Sequence, residues 1–259
     1  MVTDFASNEL VVFFAISFVA GILNAISGGG GMVLIPAMVA FGIPPINAIT
    51  INKFQNSVGA FAAIRHYGAK GFTNFADIKR LLPAAVAGAV LGAIGLGTLA
   101  KAGVLTAILP YVLLAVAFYS ILPDRFIRGG WRGFRQLSAW GMSAVWALLG
   151  LYGGSVSLGT GPILIAAHRL VHNSELNSAI TMTKPIMLAI NMTSMSVLIL
   201  MGHLWWQIAL LLAVGNVFGA MAGARMVTWS LDWLARIIVF VVPVILAFKL
   251  MGWLSFLDA

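Results

Sequence analysis

The sequence predicts an all-α polytopic membrane protein built from two inverted-topology repeats, with glycine-broken or re-entrant helices and about eight to ten membrane segments at roughly 20 residues each. Three observations predict it. First, 61% of the 259 residues are hydrophobic and only 8% charged, where a soluble domain carries about 25% charged residues. Second, apolar runs near the length of a bilayer crossing follow one another along the chain with short connections, none long enough for a soluble catalytic or nucleotide-binding domain. Third, the ten-residue alternating stretches of a transmembrane β-barrel are missing.

In chain order the runs are 10–27, 31–43, 45–66, 81–100, 103–122, 136–156, 162–171, 175–201, 205–224 and 235–252. Residues 1–10 hold Asp4 and Glu9 and no basic residue. A cleavable signal needs a basic start, so the first run is predicted to be a permanent segment. Runs 31–43 and 162–171 are short for a full crossing. Each follows a glycine-rich break, Ser27-Gly28-Gly29-Gly30-Gly31 and Ser157-Leu158-Gly159-Thr160-Gly161-Pro162. Gly88-xxx-Gly92 and Gly215-xxx-Gly219-xxx-Gly223 read as small-residue seams for close helix packing. Trp131, Trp205, Trp206, Trp229, Trp233 and Trp253 fall near segment ends, as in an interfacial belt.

The two breaks align at an offset of 130 residues, and Asn47-Ala48-Ile49-Thr50-Ile51-Asn52-Lys53 aligns with Ser178-Ala179-Ile180-Thr181-Met182-Thr183-Lys184 at 131. Gly88 and Gly92 align with Gly215 and Gly219 in the same order. Three anchors recurring in the same order with only small drift in offset point to an internal repeat. It divides the chain into a first transmembrane repeat at 1–123, a basic cytoplasmic linker at 124–135 and a second repeat at 136–259.

If every run reverses direction, Arg65, Lys70, Lys79, Arg80, Arg125, Arg128, Arg132, Arg135, Arg169, Arg225 and Arg236 fall on one side, with Arg169 in a turn at 168–175. Lys101 and Lys249 fall on the other. The positive-inside bias makes the first side cytoplasmic and puts both termini on the periplasmic side. An odd number of runs per half makes the two copies antiparallel, the arrangement of many secondary transporters.

The net charge of +8 and a pI near 10.3 follow from these loops and do not imply nucleic acid. The chain has no cysteine, which excludes disulfides, thiol catalysis and cysteine metal sites. His168 and His172 share a helix face but have no third ligand, so no metal site is expected. His66 and His203 fall at segment edges, where solvation is expected. No nucleophile–base pair or cofactor motif appears, so neither an enzyme nor a cofactor is expected.

The residues that can carry chemistry are the breaks and two lysines. Exposed backbone inside a bilayer is tolerated only within protein or beside a watery cavity. A helix starting at 28–31 (Gly28, Gly29, Gly30, Gly31) or at Ser157, Gly159, Thr160 and Gly161 presents N–H groups that favour an anion. A tight helix–helix turn is the competing reading. Pro162 suits the first helical position, with Thr160 as a cap. Lys53 and Lys184 lie deep in their runs, where a lysine costs about 2.5–3.5 kcal/mol on insertion scales, and no Asp or Glu lies in a helix interior. Either they snorkel or donate to backbone carbonyls, or both face a central cavity that attracts a substrate anion. Asn24, Thr50, Asn52, Asn56, Thr181 and Thr183 are placed to hydrogen-bond such an anion.

Gly29-Gly30-Gly31-Met32-Val33-Leu34-Ile35-Pro36, then Ala48-Ile49-Thr50, and the echo of both in the second half, resemble the sulfite/sulfonate exporter TauE/SafE family over nearly the whole chain. Thr160 and Ala166 stand where the first copy has Gly30 and Pro36. The resemblance implies transport of small sulfur-containing or related organic anions, often export, across the bacterial inner membrane. The expectation is therefore a secondary transporter working by alternating access. The alternative is an anion-selective channel or a facilitator for a non-sulfur anion. Its partners would be a small anionic substrate and the lipid bilayer, not nucleic acid, with a homo-oligomer left open.

Overall fold

A computed structural model describes residues 7–26, 29–68, 75–102, 104–120, 138–172 and 176–226, with 237, 240, 241, 244–249, 251 and 253. Gly28, the loop at 69–74, the linker at 124–135 and most of the final run lie outside the described residues. Among the described residues there are nine α-helices of ten residues or more and no strand. They are α1 (Ser7–Ile26), α2 (Gly31–Ala40), α3 (Pro45–Gly68), α4 (Phe75–Lys101), α5 (Val104–Ser120), α6 (Ala139–Gly154), α7 (Thr160–His172), α8 (Leu176–Leu200) and α9 (Trp206–Met226). Nine of the predicted runs each find their helix. α4 begins ahead of its apolar run because exposed Lys79 and Arg80 continue the same helix.

The residue distribution is the reverse of a water-soluble protein's. Leu91, Tyr111, Trp140, Leu148 and Leu200 are exposed, while Ser17, Thr50, Asn52, Lys53, Gln55 and Asn216 are fully buried. Hydrocarbon accepts an apolar exterior, whereas polar side chains there must turn inward. Four described helices are long and apolar enough to cross a bilayer, through Asn8–Ala25, Ile78–Lys101, Thr181–Leu200 and Trp206–Gly223. α3 has the length, at 24 residues, but carries Asn52, Lys53, Gln55, Asn56 and Ser57 in its middle. It lies among α2, α8 and α9, so that polar stretch meets protein.

The most extensive helix contacts join α1 to α9 and α4 to α6, with α3 against α8 between them. Glycine permits both outer pairings. A Cβ on Gly88 or Gly92 would overlap the carbonyls of Ala147 and Leu151 on α6, and one on Gly150 or Gly154 those of Ala85 and Ala89 on α4. Gly219 meets the Phe18 carbonyl of α1 in the same way. Without a strong hydrophobic drive between helices in lipid, such close backbone approach is a main source of association. The small-residue seams predicted from sequence therefore have their partners.

α2 and α8 end alike. Gly42 and Gly202 take φ of 85° and 82°, and the next residue's N–H returns to the helix, Ile43 to Met38 O and His203 to Leu198 O, both at 3.0 Å. This is a Schellman cap, which needs the left-handed conformation glycine supplies cheaply. The His203 carbonyl accepts from Asn47 Nδ2 at 3.1 Å, tying this loop to α3. The residue is partly buried, where the sequence suggested simple solvation.

Two measurements check this packing. Gly219→Ala is expected to destabilise the protein by about 1–3 kcal/mol through overpacking. Gly95→Ala, where a Cβ meets nothing within 4 Å, is expected to stabilise it by up to about 1 kcal/mol; thermal unfolding in detergent reads both signs. Burial, and then Lys101 nearby, hold the His203 imidazole below its ordinary value of 6.5. The fold thus favours the neutral ring, and this contribution is present above the ordinary value and lost as pH falls through the folded one. His203→Gln is expected to lessen the acid dependence of the melting temperature.

Candidate functional site

Lys53 and Lys184 occupy the same place in their helices, eight residues past the first residue of α3 and of α8. Both are buried, and each reaches the end of a helix in the other half of the chain. Lys53 Nζ donates to Gly153 O and Ser157 Oγ, both at 2.6 Å. Lys184 Nζ donates to Asn24 O at 2.8 Å. Gly153 and Asn24 lie in the last turns of α6 and α1, whose carbonyls have no intrahelical donor. A helix C-terminus carries about half a negative charge, so each broken helix supplies a counter-charge that, among the described residues, no carboxylate provides.

The second break is shaped around Lys53. Between α6 and α7, Ser157 and Gly159 take φ of 63° and 64°. A non-glycine residue held in a sparsely populated region costs on the order of 1–3 kcal/mol. Ser157 is held there while its hydroxyl donates to Gly153 O at 2.8 Å and accepts from the ammonium. Tyr152 Oη fixes the same loop by donating to Leu158 O. α7 starts at Thr160, so Pro162 sits third in the helix and not first. Thr160 does not cap: its buried Oγ1 has no hydrogen-bond partner, because Thr160 lies inside the helix and its methyl faces Gly153.

The first break is held by Asn24. Its Oδ1 accepts the Gly30 N–H at 2.8 Å and its Nδ2 donates to Asn56 Oδ1 at 2.6 Å. Gly29 O and Gly30 O accept from the first N–H groups of α2. Residues 31–38 of α2 are all buried, so Gly29, Gly30 and Gly31 expose their backbone to protein. Asn52 faces Gly31, where a Cβ would come within 2.9 Å of Nδ2. Asn52 Oδ1 accepts from Gln55 Nε2 at 3.2 Å, while the buried Nδ2 has no partner. Each short helix therefore starts beside an unpaired buried polar atom.

Three predicted hydroxyls are turned onto their own helices. Thr50 donates to Ile46 O, Thr181 to Ser178 O and Thr183 to Ala179 O. Gly161 is buried in the first turn of α7. A cavity of about 20 Å³ lies between α1, α3, α8 and α9, lined by Asn24, Asn56, Gly59, Lys184, Met187 and Asn216 among others. It brings together three predicted residues, Asn24, Asn56 and Lys184; Lys53 and the second break are not among its lining.

Asn216 was not legible as a site residue, because it sits between Gly215 and Gly219 in a stretch that reads as packing. The available signal was an amide inside an apolar span. Its Nδ2 donates to Gln55 O at 2.7 Å, and Gln55 accepts from Ser17 Oγ at 2.8 Å, so one polar network links α1, α3 and α9. Arg169 also differs from expectation, lying buried in the last turn of α7 and not in a turn. His168 and His172 bring their rings to 4.6 Å; among the described residues no three His, Cys, Asp or Glu side chains gather as for a metal.

Known proteins resemble the chain over most of its length. A family model described as sulfite exporter TauE/SafE matches residues 13–250. A probable membrane transporter protein, ORF9, of a Sinorhizobium species is 31% identical over 96% of this chain and 95% of its own. A probable membrane transporter protein of Haemophilus influenzae is 28% identical over 98% and 100%. The probable membrane transporter protein YfcA of Escherichia coli K12 is 26% identical over 93% and 89%. No solved structure matches.

Replacing Asn24 with leucine leaves the Gly30 N–H without its acceptor. An unsatisfied buried donor costs about 1–3 kcal/mol, so Asn24→Leu is expected to lower the melting temperature in detergent clearly more than Thr50→Val, whose hydroxyl serves only its own helix.

Proposed function

Since the chain belongs to the sulfite exporter TauE/SafE family and is a membrane transporter, not an enzyme, we propose that it carries a small anion, sulfite, a sulfonate or a related sulfur compound, outward across the bacterial inner membrane. The observation that carries this is the reciprocal crossing of the two lysines onto the broken helices of opposite halves. Each ammonium is a positive charge held inside protein, and among the described residues no carboxylate pairs with it. The helix ends offset it only in part, since a macrodipole is worth about half a charge. A small anion supplies the remainder and can use the unpaired Asn52 Nδ2 and Thr160 Oγ1 beside the starts of α2 and α7.

The halves at 1–123 and 136–259, joined by the basic linker at 124–135, act as inverted repeats in this reading. Supporting it, α1 packs on α9 as α6 packs on α4, and α3 meets α9 as α8 meets α4. Alternating access is then a rocking of one half against the other about the α3–α8 contact. Both termini lie on the periplasmic side. Cargo binding would draw the ammonium groups away from the carbonyls of Gly153 and Asn24 and free the breaks to move.

Reconstituted vesicles test it. Wild type is expected to show saturable sulfite flux, and Lys53→Met/Lys184→Met at least about a tenfold loss, about 1.4 kcal/mol or more of binding. Lys184→Gln keeps a donor for Asn24 O but no charge, so it is expected to fold and still lose flux. Undiminished saturable flux in folded variants would remove the lysines from the site, and flux that never saturates would mark a channel.

A further inference from the structure

The polar side chains that line the cavity between α1, α3, α8 and α9 have N–H groups to spare and no acceptor to spare. Lys184 Nζ has three N–H groups, and Asn24 O, on another lining residue, takes one. The amides are oriented by a chain that starts on backbone. The Gly30 N–H can only donate, so it makes Asn24 Oδ1 its acceptor; Asn24 Nδ2 then donates to Asn56 Oδ1. Asn56 Nδ2 is left a donor without a hydrogen bond among the described residues. Asn216 Nδ2 gives one hydrogen to Gln55 O and keeps a second. It lies beside the lining residue Gly59, while Asn216 Oδ1 lies closest to Gly21, outside the lining. The acceptors at the cavity are engaged: Asn24 O by Lys184, Asn24 Oδ1 by Gly30 and Asn56 Oδ1 by Asn24.

Size and polarity then define the occupant. At about 20 Å³ the space takes one water-sized body. Water brings two hydrogens of its own and finds these acceptors taken, and it leaves the ammonium charge as it was. A halide brings no hydrogen, accepts from every side and carries a full negative charge. Chloride is little larger than water, whereas sulfite, a sulfur with three oxygens, outgrows the space until the halves part. We propose that this cavity is a binding site for a single halide ion, chloride above all, held by Lys184 Nζ and Asn56 Nδ2. The α1 C-terminus offsets about half of the Lys184 charge, and the ion supplies the rest while cargo is absent. Cargo then takes the ion's place at Lys184, a step that rests on the transport reading above. Lys53 is expected to hold no second ion, because Gly153 O and Ser157 Oγ already occupy it and it does not line the cavity.

Bromide tests the site directly. Crystals of the wild-type protein grown in sodium bromide are expected to show one anomalous peak in this cavity, within hydrogen-bonding reach of both nitrogens. In halide-free detergent, sodium chloride is expected to raise the melting temperature saturably, and sodium gluconate at equal ionic strength to leave it unchanged. Lys184→Gln keeps a donor for Asn24 O without the charge. Asn56→Asp keeps the acceptor for Asn24 Nδ2 and sets a carboxylate where the donor was. Each is expected to fold and to need at least about tenfold more chloride for the same response. A cavity without an anomalous peak, or a chloride response no larger than that to gluconate, overturns the proposal, and neither result needs a variant to fold. In vesicles, chloride on the sulfite side is expected to raise the half-saturating sulfite concentration and leave the maximal rate unchanged. Saturable sulfite flux indifferent to chloride overturns the displacement by cargo and leaves the transport reading standing. A bromide peak at the site in a protein that moves no sulfite, sulfonate or related sulfur anion supports the halide site and overturns the transport reading.

Discussion

The contact of a buried ammonium with the carbonyl end of a broken helix is the constraint on which the rest of this structure depends. A lysine inside a bilayer protein without a carboxylate demands a partner, and a helix interrupted there leaves carbonyls without donors. Each defect answers the other. Because Lys53 serves α6 and Lys184 serves α1, the answer is always found across the molecule. Neither half is electrostatically complete alone, and the contact couples the position of one half to the local geometry of the other.

The packing around this pair follows from the solvent. With an apolar exterior, no large hydrophobic term gathers the helices, so the glycine seams of α1–α9 and α4–α6 let backbones meet. The polar stretch of α3 is the interior side of the same arrangement. Ser17, Asn24, Gln55, Asn56 and Asn216 satisfy one another across three helices, leaving a few atoms unpaired at the starts of α2 and α7 and at the cavity. Buried polar atoms are ordinarily paired, and Trp146 Nε1 on α6 is a further exception; in the proposed function, those at the starts of α2 and α7 are what the anion uses.

The left-handed Ser157 fits the same logic. Its conformation is costly, yet it places a hydroxyl between the Gly153 carbonyl and the Lys53 ammonium. In the proposed transport cycle an anion competes for the ammonium and releases this contact, and strain held next to it lowers the cost of leaving it.

The sequence by itself determined the all-helical membrane class, the placement of the helices, the breaks and the depth of Lys53 and Lys184. Each rests on local chemistry: hydropathy over a bilayer length, glycine in runs, charge against hydrocarbon. It also marked Asn24, Asn52 and Asn56 as polar groups that must be buried in protein, which they are. Only the tertiary structure decided what those groups touch. Thr160 misses its capping role, Thr50, Thr181 and Thr183 turn back on their own helices, Asn216 joins the cavity, and the lysines cross to opposite halves. The physical reason is that a hydrogen bond is settled within a few tenths of an ångström by how helices distant in sequence are stacked, whereas periodicity records only that a polar side chain must face inward.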